Sequence, residues 1–168
     1  MPLEGKKVTK LTHFDDEGKA TMVDVSEKEE TLREAVARGS ISMKPETFHL
    51  IMDKQISKGD VFGVARVAGI MGAKRTPELI PMCHPLTISS ITVDFIPVEE
   101  KSRIDIEARV RIRGRTGVEM EAFTAVTVAA LTIYDMCKAI DREMIISDIH
   151  LYEKSGGKSG HFTRYEDS

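Results

Sequence analysis

Apolar and polar residues alternate with a period of two along 88–98 (ISSITVDFIPV) and again along 103–113 (RIDIEARVRIR). The polar turn EEKS between them predicts a β-hairpin. Residues 31–43 alternate as well, through Thr31, Arg33, Ala35, Ala37, Gly39, Ile41 and Met43. Ser26 and Glu29 have the spacing of a helix capping box ahead of this run, but the alternation favours a strand. A helical period takes over after Pro45, which suits a first turn, and Phe48, Ile51, Met52 and Gln55 follow it until Gly59 breaks the pattern. A second helical pattern covers 60–76, where Gly63, Ala65, Ala68, Gly69, Gly72 and Ala73 permit close approach to a neighbouring surface; it is expected to stop before Pro77. The longest helical pattern runs from about Val118 to Ile140, and 144–154 (MIISDIHLYEK) reads as a last strand. With the two shorter helices taken as one bent pair, the order is strand, helix, strand, strand, helix, strand. That is an α+β, ferredoxin-like split βαβ (βαββαβ) antiparallel sheet with helices packed on one face. A single domain over 1–168 is expected: an N-terminal arm at 1–30 with one alternating piece (TMVDV), the core at 31–155, and a Gly-rich loop and tail at 156–168.

Composition narrows the function classes. The 24 Lys and Arg against 27 Asp and Glu leave a net charge of −3, so no global basic field points to nucleic acid, although local lysines remain able to bind a small anion. No segment reads as a membrane span and the N-terminus lacks the apolar core of a secretory signal, so a cytoplasmic protein without membrane attachment is expected. Cys83 and Cys137 stand far apart with no C-x-x-C pattern, which suggests free thiols.

Four places carry candidate chemistry. Asp135 and Lys138, at i and i+3 near the end of the long apolar helix, can pair; the pair is either a solvated helix edge or a partly desolvated acid and amine with tunable proton affinity. Glu119 and Glu121 open the same helix, where acids also simply favour an N-terminus. Fourteen residues separate Glu121 from Asp135. At 1.5 Å per residue this is close to four turns and about 21 Å, so one small ligand cannot comfortably touch both in one chain. If both act in one pocket, a second copy must complete it, through an isologous contact of antiparallel helices. Met82-Cys83-His84-Pro85 forms a loop in which cysteine beside histidine suggests zinc, yet His49, His150 and His161 lack the spacing that would complete such a site, and no metal site is expected. A histidine that binds an anion or passes a proton fits better. Finally, Gly157-Lys158-Ser159 ends like a phosphate loop, but Tyr152 stands where the first glycine belongs and too little chain follows for the helix. What remains there is a flexible loop with Lys154 and Lys158, suited to phosphate oxygens or to solvent.

The blocks MVDVS (22–26), KGDVF (58–62), AKRTPELIPMCHPL (73–86), TGVEMEA (116–122), ALTIYDMCKA (130–139) and KSGGKSG (154–160) closely resemble the cyclic pyranopterin monophosphate synthase family, accessory proteins of molybdenum cofactor biosynthesis. The resemblance implies a phosphorus–oxygen lyase that turns (8S)-3′,8-cyclo-7,8-dihydroguanosine 5′-triphosphate into cyclic pyranopterin monophosphate with release of diphosphate. It also implies a ferredoxin-like fold and a homohexamer built as a trimer of dimers, with active sites at the dimer interface. By the same resemblance Asp135, Lys138 and Lys58 are catalytic, with Lys138 the main proton-transfer group held by Asp135. Met82, Cys83, His84, Glu119, Met120 and Glu121 are substrate-contacting, Lys154 and Lys158 meet phosphate oxygens, and Arg33 is a further anion ligand. No cofactor is required; magnesium is an optional companion of the triphosphate. The competing class is a non-catalytic ferredoxin-like module that senses a nucleotide, since fold alone does not separate it from an enzyme. A purely structural protein and an RNA binder are weaker readings, the latter because neither hairpin strand displays an aromatic platform.

Overall fold

The computed structural model describes Asp15 and residues 17–164. The hairpin strands are β2 (Ser90–Val98) and β3 (Arg103–Gly114), joined by a 3-10 turn at Glu99–Lys101. The ambiguous run is a strand, β1 (Thr31–Ser42), and the last strand is β4 (Ile145–Ser155), extended by a two-residue β5 (Phe162–Thr163) that the sequence pattern did not signal. All pairings are antiparallel and the order across the sheet is β2-β3-β1-β4-β5. This is an α+β ferredoxin-like fold with the helices on one face.

Those helices are α1 (Pro45–Met52), α2 (Val61–Lys74), α3 (Thr76–Leu79) and α4 (Glu119–Cys137). Pro77 does not simply end a helix: Thr76 donates its hydroxyl to the Ala73 carbonyl at 2.9 Å, and Pro77 sits in the first turn of the short α3. There its missing N–H and fixed φ cost nothing. α4 lies on the odd-numbered face of β1, where Ala35, Ala37 and Ile41 are fully buried. Gly39 belongs to that face too, since a Cβ there would come within 2.8 Å of Val126. The even-numbered residues of β1 face the other way, into a paired-charge layer in which Arg38 binds Glu107 at 2.8 Å and Glu34 holds Arg109 and Arg111.

At 19 residues and a mean hydropathy of 1.3, α4 is long and apolar enough to cross a membrane by length and composition. Half of that apolar window is buried against α2 and the sheet, so its apolarity is that of a core helix covered on both sides.

α2 and α4 run in opposite senses. Lys58, just ahead of α2, meets Asp135 near the end of α4, whereas Gly69, late in α2, lies against Ala125 and Ala129. The segment from Lys58 to His84 therefore travels back along α4 and delivers different side chains to its two ends.

Candidate functional site

At the C-terminal end of α4, Asp135 is the hub of three groups. Lys138 Nζ lies 2.6 Å from one carboxylate oxygen, and Lys58 Nζ donates to the Asp135 carbonyl at 2.8 Å and lies 3.4 Å from the other carboxylate oxygen. Lys58 is held in reach because Asp60 caps α2, accepting from the Gly63 N–H at 3.0 Å. The Lys138 ammonium, then that of Lys58, keeps the Asp135 carboxyl below its ordinary range, and Asp135 in turn raises Lys138. Of the two readings of this pair, the single chain shows the solvated one: the side chains of Asp135, Lys138 and Lys58 are 59%, 52% and 45% exposed. Such a wet pair adds little stability. What it provides is a fixed carboxylate with two ammonium groups.

At the opposite end of α4 lies a cleft of about 300 Å³. It brings together Arg33, Met82, Cys83, His84, Glu119, Met120 and Glu121, seven residues singled out in the sequence. Glu121 points into the protein and is only 3% exposed; burial raises its carboxyl pKa, and Glu119 adds to the rise. Burial likewise raises the Cys83 thiol, with the Glu121 charge contributing. His84 donates through Nε2 to the Val23 carbonyl at 2.9 Å, which fixes a ring proton there, so that in a neutral imidazole Nδ1 is the acceptor. Cys137, by contrast, is buried in the core with its thiol pushed up to about 11, and belongs to the packing.

Beside the cleft is a smaller cavity of about 140 Å³ that shares Arg33 and Glu119 and adds Lys154, Gly156 and Ser159. Lys154 pairs with Glu119 at 2.7 Å. Gly156 and Gly157 both have positive φ, and any Cβ on either would collide with the backbone of Leu32 or the guanidinium of Arg33. Only glycine lets this loop close over Arg33. Lys158 sits exposed in the following turn and does not line either cavity, so it is the sequence candidate that the structure leaves outside.

Two cations in the cleft were not among the sequence candidates. Lys28 projects from the arm and Arg115 from the GRTG turn before α4. Nothing in the spacing of either cation along the sequence distinguishes it from surface charge. The alternating TMVDV piece has a use after all: Val23 and Val25 are half-buried and form one wall of the cleft, without joining the sheet.

Comparison with known proteins adds to this geometry. The model of the MoaC family matches residues 22–157. The chain is 66% identical over 154 residues to the cyclic pyranopterin monophosphate synthase of Pelotomaculum thermopropionicum, covering 92% of this chain and 91% of that protein. It is 61% identical over 156 residues to the protein of that name from Heliobacterium modesticaldum, covering 93% and 98%. With the one from Clostridium acetobutylicum it shares 60% identity over 154 residues, covering 92% and 96%.

Proposed function

The chain belongs to the MoaC family, and from that premise we propose that it is a cyclic pyranopterin monophosphate synthase. It converts the cyclic dihydroguanosine triphosphate into cyclic pyranopterin monophosphate and diphosphate, as a cytoplasmic phosphorus–oxygen lyase. The observation that carries the reading is identity above 60% over nine-tenths of the chain to enzymes of that name.

The chemistry asks for proton transfers while a purine ring opens and recloses, and for neutralisation of charge as a sugar hydroxyl attacks the ribose phosphate and diphosphate departs. Lys58 and Lys138 supply cations next to one fixed carboxylate. Because Asp135 raises Lys138, that amine holds its proton at neutral pH and acts as a donor or as a phosphate-neutralising charge. It becomes a base only if desolvated. Glu121, buried and inclined to keep a proton, is the better group to exchange one with the substrate base, with His84 Nδ1 as an acceptor beside it. Lys154 and Arg33, with Lys158 brought in by a loop movement, take phosphate oxygens.

The two groups of residues occupy opposite ends of α4, about 21 Å apart by helix rise. They serve one substrate if a second copy lies antiparallel along α4, so that each cleft is completed by Lys58, Asp135 and Lys138 of its neighbour. The same contact would dry the lysine pair. We take the dimer so formed as the unit of a hexamer. Magnesium, where it takes part, arrives with the triphosphate; among the described residues no cluster of three or more His, Cys, Asp or Glu is arranged to hold an ion.

The test is incubation of the purified protein with the cyclic dihydroguanosine triphosphate, following diphosphate release and product mass together. Both signals rising in step support the enzyme. Reversible binding without conversion would leave a nucleotide-sensing module in its place.

A further inference from the structure

The wall of the cleft formed by residues 23–28 is not part of the sheet, so its position depends on side chains that reach it from elsewhere in the chain. Two do so. His84 donates to the Val23 carbonyl at 2.9 Å, and Arg115 donates through Nη1 to the Ser26 carbonyl at 3.0 Å while its Nε lies 3.9 Å from the Glu30 carboxylate. Between these points the wall is internally braced. Asp24 accepts from the Ser26 N–H at 2.9 Å and from its hydroxyl at 2.7 Å, and the Lys28 N–H donates to the Val25 carbonyl at 3.1 Å. A braced segment fixed at two points moves as a unit, and Lys28 stands at its far end, beyond the Ser26 attachment.

We propose that Arg115 is a positioning residue: by fastening the Ser26 end of this wall to the turn before α4, it holds the Lys28 ammonium over the cleft, where an anionic substrate enters. The inference rests on the proposed activity for its substrate, but the fastening itself is a property of the free protein. Arg115 suits the task because its guanidinium can donate to a carbonyl while its charge faces a nearby carboxylate. Its side chain is 44% exposed, so removing it leaves no buried hole.

Two measurements test this. In the unliganded protein, hydrogen exchange at the amides of residues 23–28 should quicken about tenfold in Arg115→Ala, the scale of one lost hydrogen bond of ordinary net strength. Arg115→Lys, which keeps one donor, should restore part of the protection. In turnover, Arg115→Ala should raise KM for the cyclic dihydroguanosine triphosphate by about tenfold and change kcat less than about twofold. In the background of Lys28→Ala the same replacement should add little, because both act through one ammonium. KM effects that multiply in the double variant would make Arg115 a direct phosphate ligand and overturn the proposal, as would unchanged exchange in Arg115→Ala. If the wild-type protein converts no substrate, the activity reading falls, and the exchange experiment still decides the fastening.

Discussion

Glu121 is the residue at which stability and function pull apart. Its carboxyl lies buried beside Cys83, and burial raises its pKa in the folded state. For an acid the sign is fixed. Folding is favoured most below the unfolded pKa, and the advantage is lost as pH rises from there through the folded pKa, leaving a standing cost at neutral pH. Replacing Glu121 by glutamine removes the ionisation and keeps the shape. Glu121→Gln should therefore melt higher than wild type at neutral pH, with the difference shrinking in acid, while turnover drops by about a hundredfold or more if the group transfers a proton. Melting curves from acid to neutral pH check it; a difference that does not vary with pH would mean the carboxyl is not strained. Asp135 gives the opposite case. Its carboxylate raises the Lys138 amine, so in Asp135→Asn that amine should release its proton at lower pH. If Lys138 works protonated, the alkaline limb of the pH–rate profile moves down in Asp135→Asn. In Lys138→Ala turnover disappears altogether with the fold intact. An unmoved limb would assign that limb to another group. The spacing of Asp135 and Lys138 was visible in the sequence itself, whereas Lys58 was named only through the family resemblance: it is 77 positions from Asp135 and joins it because two helices pack in opposite senses.

That packing is the work of α2 and α4, and it depends on glycine at the crossing. A Cβ on Gly69 would stand 2.9 Å from the Ala125 carbonyl oxygen, 3.2 Å from Val93 and 3.3 Å from Ala129. The nearest of these is backbone and cannot swing aside. Alanine gains about 1 kcal/mol of helix propensity over glycine, whereas forcing an extra carbon into a filled contact costs about 1–3 kcal/mol, so Gly69→Ala should come out neutral to destabilising and Gly69→Val clearly destabilising. At about 2–4 °C per kcal/mol for a chain of this length, the valine variant should melt several degrees lower. It should also lose activity at permissive temperature, because spreading the helices separates Lys58 from Asp135. Full activity in a folded Gly69→Val protein would show that Lys58 does not need α2 for its placement. The run of small residues announced this close contact, and alternation announced β2 and β3 and tipped the ambiguous β1 toward a strand, because each pattern is the direct imprint of a face pressed against a neighbour. Other elements left no such imprint. β5 is two residues held by backbone pairing to β4, and α3 is four residues set by the Thr76 hydroxyl bonded back to the Ala73 carbonyl and by Pro77 in its first turn. The cleft wall at 23–28 is held by His84 and Arg115, which are distant from it in sequence; His84 stood out there for other chemistry and Arg115 not at all.

At the scale of the molecule the question is whether one chain holds a whole site. The cleft that holds Glu121 and the lysine–aspartate cluster lie at opposite ends of α4, and fourteen residues of helix fix their separation at about 21 Å. No side-chain rearrangement spans that distance, so a shared site requires two copies, and it makes a quantitative prediction. Glu121→Gln and Asp135→Asn should each keep only a small residual turnover alone, on the order of 1% of wild type, since every site in either homodimer carries a defect. When the two are unfolded together in equal amounts and refolded, about half of the dimers are mixed. In a mixed antiparallel dimer one site collects both defects, whereas the other draws an intact Glu121 from one copy and an intact Asp135 from the other. Roughly a quarter of the wild-type activity should then return, and the fraction should fall as the mixing ratio departs from equality. If each chain carried its own complete site, every chain in the mixture would still lack one group and no ratio would restore turnover. Refolding each variant by itself controls for activity regained through refolding alone. A mixture that stays inactive while native mass measurement shows mixed dimers would confine each site to a single chain, and the two ends of α4 would then have to serve separate purposes.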